Sequence, residues 1–438
     1  MGTGYLKIIT RAAGGTLPVS AAVTITDGDT ILHNFLTNRS GIAEPVALEA
    51  PLKELSLDPE SMEAPYSVYN VMAEAKGFKT VNIYGVMIFD TITSILHINM
   101  VPSENGETME LHLPAHQLHD PSEQATKRLE PPEILQDISI PEYITVHLGL
   151  PESNARDVPI PLAHYIKVAA SYELFPTWHP AAIEANVYSI TSLALNRIFS
   201  GLYRGMGYDF DITNAMKYDP AFVVGGQIFS IIDEMVDRIF NRYICRKGLH
   251  TPFLAESCDG RLQTCPGLWK WGSLALAARG FNALEILRHY YPADVEIVET
   301  DILEGANNPF PGYPVREGMS GRYVQVLQSM LNHICVSFPE IPVIMPEDGT
   351  FGPITAEAVR VFQRIHEPGL MEPSGVVDIN TWYRISLIAS CLSSTQPHLD
   401  NPVRESKKPT PQNHKDSTIT LPLLILGMLA HKKGRPYL

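Results

Sequence analysis

The chain has 438 residues, 45% hydrophobic and 18% charged, a globular composition that excludes a disordered chain or a coiled coil. Its formal net charge is −15, from 33 Lys and Arg against 48 Asp and Glu, which argues against a broad nucleic-acid surface because such binding rests on cations neutralising phosphates. No run reaches roughly 18 consecutive apolar residues, so no membrane-spanning helix is expected; the nearest, Ser417 to Ala430, is short and interrupted by Pro422.

The length suits two to four domains. Proline is in excess, 35 residues or about 8% against a usual ~5%, and punctuates the chain. Five cysteines, at 245, 258, 265, 335 and 391, are too few for a disulfide scaffold, and the odd number leaves at least one thiol or metal ligand over. The N-terminal MGTGYLKIITRAAGG lacks an apolar core followed by a small-residue cleavage site, so no signal peptide is expected.

Residues 1–101 read as an all-β sandwich. Leu6 to Thr10, Ala22 to Thr26, Tyr69 to Ala75 and Ile95 to Met100 are strand-like runs, with turn signals at Gly14-Gly15 and Asp27-Gly28-Asp29. Residues 102–139, polar and bearing five prolines, read as a linker. A second region, 140–300, opens at Tyr143 to Gly149 and mixes strands and helices. Ile183, Val187, Ile190, Ala194 and Ile198 recur at helical spacing over 181–200, and Ile228, Ile231, Ile232, Met235, Ile239 and Tyr243 do so over 227–243. Asp233, Glu234 and Asp237 read as a solvated face of that helix. Shorter helices are expected at 273–279 and 283–291, with Gly280 as a C-cap and Asn282 as an N-cap.

After a linker at 301–313, residues 314–392 read as an all-α three-helix bundle. Its helices carry Val324, Leu327 and Leu331; then Ala356, Val359 and Phe362; then Trp382, Ile385 and Ile388. Asp348 to Pro353 is a turn feeding the second, and Asp348 and Trp382 read as fold residues. Cys245, Cys335 and Cys391 fall on expected helices as small core residues. Residues 393–438 are a tail whose apolar patch, Ile419 to Leu429, either folds back or docks on a neighbouring surface.

Three stretches carry family resemblances. The run Gly318-x-Ser320-Gly321-x-x-Val324, Leu327-Gln328-x-x-Leu331, Asp348-Gly349-x-Phe351-Gly352, Thr355-x-x-Ala358-Val359-x-x-Phe362-Gln363 and Gly375-Val376-Val377-Asp378-x-x-Thr381-Trp382 resembles the type 1 peptidoglycan-binding domain over about 75 residues. In the middle, Ala169 to Trp178 with Pro180, Ala182-Ile183, Ala185-Asn186, and then Cys265 to Ser273 running on to Glu285 to Tyr291, resemble the stage II sporulation protein D family of lytic transglycosylases. Near the N-terminus, Gly14-Gly15-x-Leu17-Pro18-Val19, Thr37 to Gly41 and Ala75 to Phe78 resemble the carboxypeptidase regulatory-like sandwich, an accessory module. The layout resembles clostridial-type wall proteins that join these three parts.

What the resemblance implies is an enzyme that binds peptidoglycan and cleaves its glycan strand, leaving 1,6-anhydro-muramic ends. Glu173 becomes the catalytic acid/base, with Trp178, Asn186, Trp269, Lys270 and Trp271 as substrate-binding candidates. One carboxyl suffices when the attacking group is the substrate's own C6 hydroxyl rather than water. This chain departs from the family where Gly-Met-Ser-Gln becomes Gly267-Leu268-Trp269-Lys270, and that departure supports an alternative, a non-catalytic wall-binding scaffold on a degenerate fold. Some family members hold zinc with two cysteines and a histidine. Cys258, Cys265 and His250 are spaced compatibly with such a site, with a local disulfide or two free thiols as the other readings. His179 reads as a surface residue beside the cleft. The expected partners are glycan strands and a protein bound through the sandwich or tail, but not nucleic acid. The expected location is the cell wall or spore, with lysis, a sporulating mother cell and non-classical release all open as the route.

Overall fold

A computed structural model describes residues 1–12, 17–116, 138–262, 264–300, 310–370 and 372–394. They form a strand-rich N-terminal region, a mixed α/β middle and a helical C-terminal region. Most of the linker 102–139, most of the linker 301–313 and the tail beyond Ser394 lie outside the described residues.

The N-terminal strands are β1 (Gly2–Ala12), β2 (Leu17–Pro18), β3 (Ala22–Asp27), β4 (Thr30–Leu36), β5 (Val46–Ala50), β6 (Tyr66–Glu74), β7 (Thr80–Phe89), β8 (Thr93–Asn99) and β9 (Thr108–His112). β4–β3–β6–β7–β9 make one sheet, and β8, β1, β2 and β5 belong to a second in which β1 and β8 run parallel from Tyr5↔Thr93 to Arg11↔Asn99. Leu6, Ile8, Leu96 and Ile98 from one sheet share a core with Val23, Ile25, Val71 and Ile83 from the other. Alternation of apolar residues along each strand turns them to one face, which is why the two sheets have a common interior. The expected linker is partly structured: β9 lies within it and pairs parallel with β7 from Thr80↔Thr108 to Tyr84↔His112. Its alternating Met109 and Leu111 pack on the N-terminal core, a two-residue period too short to stand out from a polar, proline-bearing segment.

The middle region contains β10 (Tyr143–His147), β11 (Asp157–Pro161), α1 (Leu162–Glu173), α2 (Pro180–Ser200), α3 (Leu202–Gly205), β12 (Ile212–Thr213), β13 (Ile228–Phe229), α4 (Ser230–Ile239), β14 (Arg242–Arg246), β15 (Ser257–Cys258), β16 (Leu268–Trp269), α5 (Lys270–Ala277), α6 (Ala283–Tyr290) and β17 (Val295–Glu299). Helix α2 starts on Pro180, whose missing N–H costs nothing there, and His179 accepts the Ala181 N–H. It stops at Gly201, whose φ of 59° favours glycine. Asn282 and Glu285 close a reciprocal capping box on α6, as the expected N-cap implies.

The long helix expected over 227–243 is instead β13, α4 and β14. β13 joins the N-terminal sheet through Ile228↔Ile95, and β14 pairs with β17 from Arg242↔Glu299 to Arg246↔Val295. Isoleucines four apart suit a helix, but β-branched residues also suit strands, and here sheet pairing decides. Cys245 is buried, on β14 rather than on a helix. The solvated-face reading of α4 holds only for Glu234. Asp233 and Asp237 turn inward, each 2.6 Å from Lys167 Nζ.

The C-terminal region has α7 (Arg322–Cys335), α8 (Pro353–His366) and α9 (Ile379–Ser394) around a core that includes Leu327, Leu331, Val359, Phe362 and Trp382. Two buried glutamines repeat one device. The Gln328 amide accepts the Gly349 N–H at 2.8 Å and donates to Thr350 O and Thr355 Oγ1; that of Gln363 accepts the Gly375 N–H at 2.9 Å and donates to Val376 O and Thr381 Oγ1. Each clamps the turn that launches the next helix. Asp348 Oδ1 accepts the Thr350 N–H at 2.7 Å in the first of these turns.

The three regions lock together. The Gln227 amide brackets the backbone N–H and C=O of Met87 on β7, both at 2.7 Å. Met87 and Phe89 enter the middle core, while Leu17 and Ile42 pack on the C-terminal core. Arg384 of α9 donates to Asp237 at 2.6 Å, and Asp233 Oδ2 accepts the Gly369 N–H at 2.9 Å.

Candidate functional site

Glu173 is the last residue of α1. Leu174 leaves the helix in extended conformation, and the turn Phe175 to Trp178 carries the chain to α2. From the other side, β16 delivers Lys270 as the first residue of α5, with β15 beside it in the register Ser257↔Leu268 and Cys258↔Trp269. These elements converge on one ion pair: Lys270 Nζ lies 2.8 Å from Glu173 Oε2, with the two side chains 0% and 1% exposed. Glu173 Oε1 accepts the Ala221 N–H at 2.8 Å. Both carboxylate oxygens of Glu173 therefore have a hydrogen-bond donor in a site shut off from solvent.

Asn186 donates from Nδ2 to Ser273 Oγ at 2.8 Å, tying α2 to α5, and Ser273 in turn donates to Lys270 O. Asn186 and Lys270 are therefore packed inside the protein and bonded to it. The buried Trp178 donates its indole N–H to Ser56 O at 2.8 Å. None of the three presents a surface to a sugar in this conformation. Trp271 is part-exposed, its ring 5.0 Å from that of Trp178 and 6.0 Å from that of Phe175. Trp269 lies apart from this group, with its ring 5.9 Å from Tyr290 and its indole N–H on Cys265 O. His179 is exposed, as expected.

A surface hollow of about 340 Å³ is lined by residues that include Phe175, Trp271, His116, Asp58, Glu63 and Arg261, but by neither member of the ion pair. The Asp58 and Glu63 stretch comes from the N-terminal region, so the hollow is shared between regions. His116 is the residue that sequence reasoning missed. It stacks on Phe175 at 4.6 Å and faces both Glu173 and Lys270 electrostatically. Burial pushes its pKa down to about 4, so it is neutral at physiological pH. It lies just beyond β9, in the stretch read as linker, where no motif marks it.

Cys258 and Cys265 are joined in a disulfide, with Cα atoms 6.1 Å apart. Zinc binds thiolates, and sulfurs bonded to each other have none to offer. The donor set of Cys258, Cys265 and His250 therefore does not fit a zinc site in this oxidised form, and the disulfide reading is the one realised. Among the described residues, no group of three or more His, Cys, Asp or Glu is arranged to hold a metal ion, and no helix is long and apolar enough to cross a membrane.

Residues 320–385 match the family model of the peptidoglycan binding domain. No curated protein matches the chain. A solved structure, the Bacillus anthracis TIE protein, aligns with 36% of this chain and 23% of its own at 12% identity and a TM-score of 0.16, too weak a likeness to carry an argument. The match spans α7, α8 and the start of α9, and it contains both glutamine clamps. The helical C-terminal region of this chain is therefore a type 1 peptidoglycan-binding domain, which supports binding to the cell wall.

Proposed function

We propose that the protein is a peptidoglycan-binding lytic transglycosylase in which residues 320–385 hold the wall and Glu173 cleaves the glycan strand. The observation that carries this reading is a buried carboxylate two residues before Phe175, which lines a surface hollow with Trp271 and His116, in a chain with a peptidoglycan-binding domain. A carboxyl in such surroundings can exchange a proton with a bound sugar without competition from water. Glu173 protonates the glycosidic oxygen; it then takes the proton of the C6 hydroxyl as that oxygen attacks the anomeric carbon. The product is a 1,6-anhydro end, and no second carboxylate is required. Association with a spore wall is part of the same proposal.

One observation favours a second reading, a non-catalytic wall-binding protein on a degenerate fold. Glu173 and Lys270 are enclosed and satisfy each other, so a glycan reaches the carboxylate only if covering residues move. Incubation of purified glycan strands with the protein, followed by mass spectrometry, separates the two. The first reading expects anhydro ends that disappear in Glu173→Gln. Sacculus binding without any anhydro product, from the unmutated protein, supports the second and refutes the first.

A further inference from the structure

Lys270 stands where the resembling family has glutamine, and it is as deeply buried as the carboxylate it touches. An amide can only orient a carboxylate, whereas an ammonium can also give it a proton. The contact is 2.8 Å, a single proton hop, and neither side chain is solvent-exposed. Among the described residues, His116, from the segment after β9, faces both members of the pair, and Tyr165, on α1, faces Glu173. His116 is held neutral and burial raises the Tyr165 phenol, so neither supplies a competing charge at neutral pH.

We infer that Lys270 is the positioning residue and proton reservoir for Glu173. This inference rests on the transglycosylase reading above. In the resting state Lys270 Nζ fixes Oε2 of Glu173, while the Ala221 N–H fixes Oε1; in the proposal the proton of the pair rests on Nζ. Once the covering residues have moved and glycan is seated with water excluded, one proton passes from Nζ to Oε2, leaving a neutral amine beside a carboxylic acid. The acid gives this proton to the glycosidic oxygen as the C1–O bond breaks. The carboxylate then removes the proton from the C6 hydroxyl as the new C1–O6 bond forms, and returns it to Nζ. The cycle consumes no external acid, base or water, and each residue ends as it began. Lys270 touches no sugar atom in this scheme and acts only through Glu173.

The test compares full-length wild type, Lys270→Met, Lys270→Arg and Glu173→Gln on purified glycan strands, following anhydro ends across pH 5–9. Lys270→Met removes the cation, so the carboxyl must carry its own proton, and activity should fall as that proton is lost with rising pH. Its alkaline limb should move toward neutrality, and kcat at pH 8 should drop about 100-fold, the low end of what general acid–base catalysis supplies. KM should stay within about twofold, because no sugar contact is lost. Lys270→Arg keeps the charge but holds its proton too tightly to release it, so it should not restore kcat. A Lys270→Met profile that matches wild type in shape, or full rescue by Lys270→Arg, overturns the proton-reservoir role while leaving the transglycosylase reading intact. Absence of anhydro ends from wild type overturns both. Circular dichroism of each variant separates a lost fold from lost chemistry. If Lys270→Met does not fold, the Lys270→Arg rates decide alone: wild-type kcat refutes the relay, and a loss comparable to Glu173→Gln upholds it.

Discussion

Replacing Lys167 by Met tests the ionic junction between α1, α4 and the peptidoglycan-binding domain. Its ammonium lies 2.6 Å from both Asp233 and Asp237, and both Lys167 and Asp233 are almost fully buried. Burial pushes the Asp233 pKa up, but Lys167 and Arg384 outweigh this and bring it down to about 2. The fall from 3.8 to about 2 corresponds to roughly 2 kcal/mol of native stability. Because the folded pKa is depressed, that contribution is present above pH 4 and lost as the pH falls from about 4 toward 2. Removing the cation also strands a buried carboxylate, which retains the Gly369 N–H and the more distant Arg384, so the total cost at pH 7 is expected to be about 3–5 kcal/mol. The stranded group can escape by taking up a proton, so the penalty should shrink as the pH is lowered toward 4. Guanidinium unfolding of the full chain, followed by tryptophan fluorescence at pH 7 and pH 4, measures both. A loss below about 1 kcal/mol at pH 7, where breaking a buried pair should cost several times that, or an equal loss at both pH values, would refute the reasoning.

Two further expectations concern the C-terminal region, beside those already set out for Glu173 and Lys270. Burial raises the Glu367 pKa to about 7, so ionising this carboxyl opposes folding as the pH rises from about 4.5 toward 7. Glu367→Gln should therefore stabilise the protein by about 1–3 kcal/mol at pH 8 and have little effect at pH 4, measured as a thermal-melt difference between the two pH values. Trp382 is fully enclosed at the centre of the domain core. Trp382→Ala should cost about 3–5 kcal/mol and reduce the protein retained by sacculi in a pelleting assay; unchanged retention with a well-folded variant would show that binding does not need this core.

The peptidoglycan-binding domain was legible in the sequence because its determinants are local. Glycines at 349 and 375 adopt positive φ, and the helix faces of Val324, Leu327, Val359 and Phe362 repeat at helical spacing. The capping residue Asn282 acts within a turn of itself, so its helix begins on a signal a linear reading can find. The split of 227–243 was not of this kind, because β13 and β14 are strands only by virtue of partners about 50 residues away or more.

The candidate site shows the same division. Glu173 could be singled out by its motif, but its motif does not say what it touches. Lys270 is 97 positions away in sequence and meets it only because Asn186 and Ser273 seat α5 on α2. His116 reaches the same place from beyond β9, and Asp233, three positions from Val236 on a helix that reads as amphipathic, is buried by Lys167 from another helix. The sequence by itself determined the segments with short-range signals, including the wall-binding domain and the position of one carboxyl. Only the tertiary structure decided that this carboxyl is paired and enclosed, and that Phe175 close to it in sequence lines a hollow shared between two regions, because burial and charge pairing are set by residues brought together across the fold.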